Sequence, residues 1–119
     1  MILFFSLPLL LHTITKIKKN MEVKISNDAV PVLSVEGRMD TGNTAIFEEA
    51  IAPILKSDLK ELIIDCTGLE YISSSGLRQF LVLQKFISEK GGSLKVRGLR
   101  PEIKDIFDLT GFTNIFNII

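Results

Sequence analysis

Only one cysteine, Cys66, and one histidine, His12, occur among the 119 residues. A lone cysteine rules out an intramolecular disulfide and a Cys-rich zinc cluster. Cys66 closes an apolar run and reads as a small buried filler rather than a reactive thiol. With His12 confined to the first twenty residues, the rest of the chain lacks the base that a serine nucleophile needs. Gly-x-Ser-x-Gly, Gly-x-Gly-x-x-Gly and the Walker A lysine motif are all missing. Carboxylates aside, His12 and Cys66 are the only metal donors. Asp105 and Asp108 read as solvated charges. No enzyme activity, cofactor or metal is expected.

An excess of charge of one sign is also missing: 14 basic residues face 14 acidic ones. Lys16, Lys18 and Lys19 fall in a stretch without acids, so residues 21–119 carry 11 basic against 14 acidic residues, a net of −3. A mildly acidic domain has no strong pull on nucleic acid or on an anionic membrane. The apolar run Ile2–Leu11 covers ten residues, where a membrane span needs about 20. A signal peptide carries its basic residues ahead of the apolar stretch and ends on a small-residue site. Here the lysines follow it and no such site appears.

Residues 1–20 read as foreign to the rest. Ile, Phe, Lys and Asn are the residues that AT-rich DNA encodes, and a purine-rich ribosome-binding segment read in frame ends in text such as Lys18-Lys19-Asn20. Met21 is therefore expected as the natural start, leaving one domain over 21–119. An amphipathic or membrane-associated leader is the rival reading of 1–20. The single cysteine fits a reducing, cytoplasmic setting.

From Met21 the pattern predicts alternating elements. Met21–Ser26 reads as a strand with Val23 and Ile25 on one face. Asn27-Asp28 is turn chemistry. Val30–Val35, with Pro31 near its start, is a second strand forming a hairpin with the first. Asp40, Thr41, Asn43 and Thr44 are N-cap candidates for a helix whose apolar face holds Ile46, Phe47, Ala50, Ile51, Ile54 and Leu55. Leu62-Ile63-Ile64, ending at Asp65, suggests a strand covered on both faces. Thr67-Gly68 turns the chain, and Tyr71-Ile72 is a short extended piece. A helix with Leu77, Phe80, Leu81, Gln84 and Ile87 on one stripe, and Leu83 beside it, stops at Gly91-Gly92. Leu94–Val96 is a strand. Pro101 opens a third helix burying Ile103, Ile106, Phe107 and Leu109, with Gly111 as its C-cap. Ile115–Ile119 reads as an edge strand.

The order β-β-α-β-α-β-α-β implies an α/β fold: a small mixed, mostly parallel sheet with helices. In such sheets function gathers where strands end and helices begin. Asp40 and Ser75 both fall at such junctions.

The most informative text is Asp65-Cys66-Thr67-Gly68-Leu69-Glu70-Tyr71-Ile72-Ser73-Ser74-Ser75-Gly76-Leu77-Arg78. Three serines stand where a helix begins. Capping explains one of them. Gly76 removes side-chain cover, so a neighbouring hydroxyl is expected within reach of another protein. A phosphate on Ser75 adds roughly −1.5 to −2 charge, and a helix N-terminus tolerates an anion. Arg78, three residues on, lies within helical reach of that phosphate.

These residues, with Gly37-Arg38-Met39-Asp40, resemble the anti-sigma-factor antagonist family, the STAS domain, over about Glu22–Ile115. The resemblance implies a STAS-like fold and a partner-switching role in transcription regulation. Ser75, or less favourably Ser74, is then phosphorylated by an anti-sigma factor that is a serine kinase of the histidine-kinase-like ATPase superfamily. The unphosphorylated form binds that kinase and frees the sigma factor, and a serine phosphatase resets the switch. Asp40, Thr41, Ser73, Ser74, Gly76 and Arg78 are expected at the partner surface. Some members of the family carry an aspartate two residues before the phosphorylated serine, where this chain has Ser73. A structural or scaffold subunit of a transport or stress-signalling complex, without the phosphoswitch, is the alternative on the same fold.

Overall fold

The computed structural model describes residues 20–119. The leader read over 1–20, apart from Asn20, lies outside the described residues, as does His12.

Strand β1 (Met21–Ile25) runs antiparallel to β2 (Val32–Met39), pairing Met21 with Gly37 and Ile25 with Leu33. The hairpin is the expected one, but β2 starts two residues later and runs four further. Pro31 has no N–H to give; its carbonyl instead accepts the Ile63 N–H at 3.0 Å. Ile25, placed with Val23 on an apolar face, is 46 % exposed.

Helix α1 (Thr44–Leu55) follows, then β3 (Glu61–Asp65), β4 (Leu69–Ile72), α2 (Ser74–Glu89), β5 (Ser93–Arg97), α3 (Pro101–Thr110), a 3-10 turn (Phe112–Asn114) and β6 (Asn117–Ile118). The sheet order is β1-β2-β3-β5-β6, with β4 pairing β2. All pairings after the hairpin are parallel. The mixed, mostly parallel α/β architecture is therefore as read from the sequence, with one element added.

That element is β4, expected only as a short extended piece. Strand β2 pairs with β3 through Val32–Ser34 and with β4 through Gly37–Met39. Thus β3 and β4 lie in succession along one flank of β2, separated by the turn in which the Leu69 N–H donates to the Cys66 carbonyl at 2.9 Å. The register shifts between Gly37 and Arg38, so Leu69 and Ile72 are buried while Glu70 and Tyr71 are exposed. A strand with that irregularity shows no period of two, which is why its sequence does not announce it.

Leu33, Val35 and Met39 of β2, Leu62 and Ile64 of β3, and Leu94 and Val96 of β5 are buried, and the residues between them are not. Among the described residues, one sheet face is covered by helices and the other is open. This corrects the expectation that β3 is covered on both faces: Ile63 is half-buried on the open side. A three-residue apolar run cannot by itself tell one-sided from two-sided cover.

The covered face shares a core with Phe47 and Ile51 of α1, Phe80, Leu83 and Ile87 of α2, and Ile103 and Phe107 of α3. Phe47 and Phe80 stack at 5.4 Å, and Phe80 meets Phe107 edge-on at 6.3 Å. Each fully buried phenylalanine contributes about 1.5–3 kcal/mol of transfer free energy. Leu109 does not join this core; it is 87 % exposed. Ile103 and Phe107 are four apart and share a helix face, and Leu109 is turned away from it. Gly111, at φ +78°, ends α3 in the left-handed conformation that favours glycine. Only Asn117–Ile118 of the expected terminal strand pairs, parallel to β5.

Candidate functional site

The carboxyl ends of β2 and β4 lie side by side. Met39 pairs with Ile72, and the next residue, Ser73, donates its N–H to the Met39 carbonyl at 2.8 Å. The Asp40 loop and the serine segment therefore leave the sheet together. Here the topology brings together residues 33 positions apart in sequence.

The Asp40 loop is built by Asn43. Its Oδ1 accepts from the Asp40 N–H at 2.9 Å, and its Nδ2 donates to the Arg38 carbonyl at 2.7 Å. The Asp40 carboxylate accepts from the Gly42 N–H at 2.9 Å. Asn43 precedes α1 but makes no side-chain cap bond. The Asp40, Thr41 and Thr44 side chains do not cap α1 either; the loop is held by Asn43 reaching backwards. Asp40 is half-buried and Thr41 exposed.

Ser73 is the N-cap of α2. Its backbone is extended (φ −85°, ψ 170°), and its Oγ accepts from the Gly76 N–H at 3.2 Å. Ser73 Oγ also lies 3.0 Å from Ser75 Oγ. Ser73 is buried at 7 % exposure, Ser75 is half-buried, and Ser74 and Arg78 are exposed. Ser75 as a residue is thus not sealed in the core.

Gly76 corrects one expectation. It does not open a path to a hydroxyl; it is buried. A Cβ there would lie 2.9 Å from Ile72 Cγ1 and 3.0 Å from Met39 Cγ. Its smallness lets the first turn of α2 sit directly on β2 and β4. Ser73 and Gly76, expected at a contact surface, form the floor beneath it, and Asp40, Thr41, Ser74, Ser75 and Arg78 form the outward side.

Two residues that lie in the quoted segments but were not among the expected partner-surface residues border this rim. The Arg38 guanidinium stands 4.5 Å from the Tyr71 ring centroid, and the two residues are register partners on β2 and β4. Both are exposed, Tyr71 at 37 %. The exposed aromatic followed by a buried Ile72 was the available signal.

At the neighbouring strand ends, Asp65 Oδ1 accepts from Thr67 Oγ1 at 2.6 Å and from the Thr67 N–H at 3.1 Å. Arg97 lies 3.7 Å from its other oxygen. Partial burial pushes the Asp65 pKa up, but the two Thr67 bonds and the Arg97 charge outweigh it and hold the carboxyl below its ordinary value. Burial, with Asp65 alongside, pushes the Cys66 thiol up to about 12. Cys66 is therefore the inert filler expected of it.

Among the described residues there is no cluster of three or more metal-binding side chains, and no helix is long and apolar enough to cross a membrane. The geometry combines a floor tied by backbone hydrogen bonds, a polar rim at the strand ends, and a half-buried serine at a helix start. The STAS domain family model matches residues 20–119, and the chain belongs to that family. It is 29 % identical over 99 residues to the anti-sigma-B factor antagonist of Bacillus subtilis, covering 83 % of this chain and 89 % of that one. It is 22 % identical over 94 residues to the anti-sigma-B factor antagonist of Staphylococcus epidermidis, covering 79 % and 87 %. Among solved structures, an anti-sigma factor antagonist from Mycobacterium paratuberculosis superposes with a TM-score of 0.74 at 23 % identity, covering 82 % of this chain and 84 % of that one. The phosphorylated form of the Bacillus protein SpoIIAA gives 0.63 at 14 % identity, covering 83 % and 90 %.

Proposed function

We propose that this chain is an anti-sigma factor antagonist that acts by binding, not by catalysis, and that phosphorylation of Ser75 switches it. The observation that carries the reading is half-buried Ser75 in the first turn of α2, beside the Asp40 loop and above a floor tied by backbone hydrogen bonds. A kinase can reach the hydroxyl of such a residue, and the fold need not open to offer it.

The partner is an anti-sigma factor that is also a serine kinase. In the transfer, a bond forms between Ser75 Oγ and the γ-phosphorus of ATP. The bond from that phosphorus to the β–γ bridging oxygen breaks. ADP leaves with its new negative charge, and the hydroxyl proton passes to the kinase's base. The unmodified rim binds the partner and frees the sigma factor. The phosphorylated rim presents roughly −1.5 to −2 charge where a neutral hydroxyl was, and the partner face no longer fits. Arg78, exposed one turn along α2, is placed to pair with the phosphate. A serine phosphatase reverses the change. Dependence on ATP places the cycle in the cytoplasm.

The test is incubation with ATP and the serine kinase encoded beside its gene, followed by peptide mass spectrometry. One phosphate on Ser75, absent from Ser75→Ala and retained in Ser74→Ala, supports the reading. No incorporation, or incorporation that survives Ser75→Ala, overturns it.

A further inference from the structure

Ser73 is held on every side. Its N–H donates to Met39 at 2.8 Å, its carbonyl accepts the Leu77 N–H at 2.9 Å, and its Oγ accepts the Gly76 N–H at 3.2 Å. Capping uses a lone pair of that Oγ and leaves its proton. The Ser73 side chain is buried, and a buried donor left without an acceptor is costly. Ser75 Oγ lies 3.0 Å from Ser73 Oγ. Either hydroxyl can donate across this contact; donation from Ser73 gives its proton a partner, and a phosphate at 75, which only accepts, requires that direction.

We infer that Ser73 is a positioning residue for the modified state: its hydroxyl donates to the side chain at 75, and after phosphorylation it turns that bond onto a phosphate oxygen and holds the dianion at the start of α2. The inference rests on Ser75 being the modified residue. An O–H donor to an anionic oxygen makes a shorter and stronger bond than to a neutral one. An ionised carboxylate at the same place is an acceptor only and repels the phosphate. Serine at 73 thus favours the dianion, which an aspartate would disfavour.

Capping and donation are separable. Ser73→Thr keeps both, Ser73→Asp keeps the cap and loses the donor, and Ser73→Ala loses both. Phosphoserine is placed at position 75 of the full chain by genetic code expansion, so that no kinase enters the experiment. The second ionisation of the phosphate is then titrated by 31P NMR, with melting temperature measured alongside. The ionisation is expected about half a unit to one unit lower with Ser73 than with Ser73→Ala. Ser73→Thr is expected to match the parent, and Ser73→Asp to titrate above Ser73→Ala while keeping its melting temperature. Overlapping titrations of the parent and Ser73→Ala overturn the inference, as does a Ser73→Asp titration that matches the parent. A kinase that never modifies Ser75 overturns the proposed function and leaves these titrations standing.

Discussion

Ser73 and Met39 are joined by a backbone hydrogen bond of 2.8 Å that locks the start of α2 to the end of β2. With the pairing of Met39 and Ile72, it makes two separate strand-to-helix junctions into a single rim. Gly76 then lies against the Met39 side chain, so the same two strand ends that carry the loops also set the helix height.

Gly76→Ala therefore tests the floor. The added methyl meets Ile72 and Met39 at about van der Waals overlap. Overpacking of this kind costs about 1–3 kcal/mol, and helix propensity returns at most about 1 kcal/mol. Urea unfolding is expected to show net destabilisation, larger for Gly76→Val. A gain in stability would mean that α2 does not sit this close.

Asn43 tests the loop. Asn43→Ala leaves the Asp40 N–H and the Arg38 carbonyl without their partner. The cost is about 1–3 kcal/mol, with faster hydrogen exchange at the Asp40 amide. Asn43→Asp can still accept from Asp40 but has no donor for Arg38, so an intermediate loss is expected. Equal stability of all three chains would remove Asn43 from its assigned place.

Asp65 sets an acid limit. Its folded pKa lies below the ordinary 3.8, so its contribution to stability is complete above that value and is lost as pH falls through the lower folded value. Chemical denaturation across pH 2 to 6 is expected to show a fall in stability below about pH 4 that is shallower in Asp65→Asn. Parallel profiles for the two chains would contradict the depressed pKa.

Cys66 reports opening. A thiol that is buried and pushed up to about 12 does not react in the folded protein. Labelling by a disulfide reagent at pH 8 is expected to be slow in native buffer and complete within minutes in denaturant. Rapid native labelling would place Cys66 at the surface.

Legibility followed the strength of the local pattern. Helix α2 was readable because Leu77, Phe80 and Ile87 fall at helical spacing, and its end because Gly91 follows. The pattern draws the stripe through Leu81 and Gln84, which are half-buried, with Leu83 beside it, whereas Leu83 is fully buried. Leu109 misled because it follows Ile106 at the helical spacing of three, while Ile106 itself is only half-buried, at the margin of the face that Ile103 and Phe107 share. Strand β4 was nearly invisible: four residues long, beside a register shift, it has no alternation to detect. Asn43 was legible as a polar residue before a helix, but not as the clamp of the Asp40 loop, because its partners lie behind it in the chain.

Sequence alone determined the element order of most of the chain, the class of fold and the residues at the two junctions. Those properties depend on periodicity and on local backbone chemistry, which neighbours in sequence carry. Tertiary structure alone decided that β4 flanks β2, that the three helices share one sheet face, that Gly76 is a packing residue rather than a gap, and that the Ser73 and Ser75 hydroxyls meet. Each of these depends on hydrogen bonds or contacts across strands and helices, and a linear chain does not show which of its distant parts will meet.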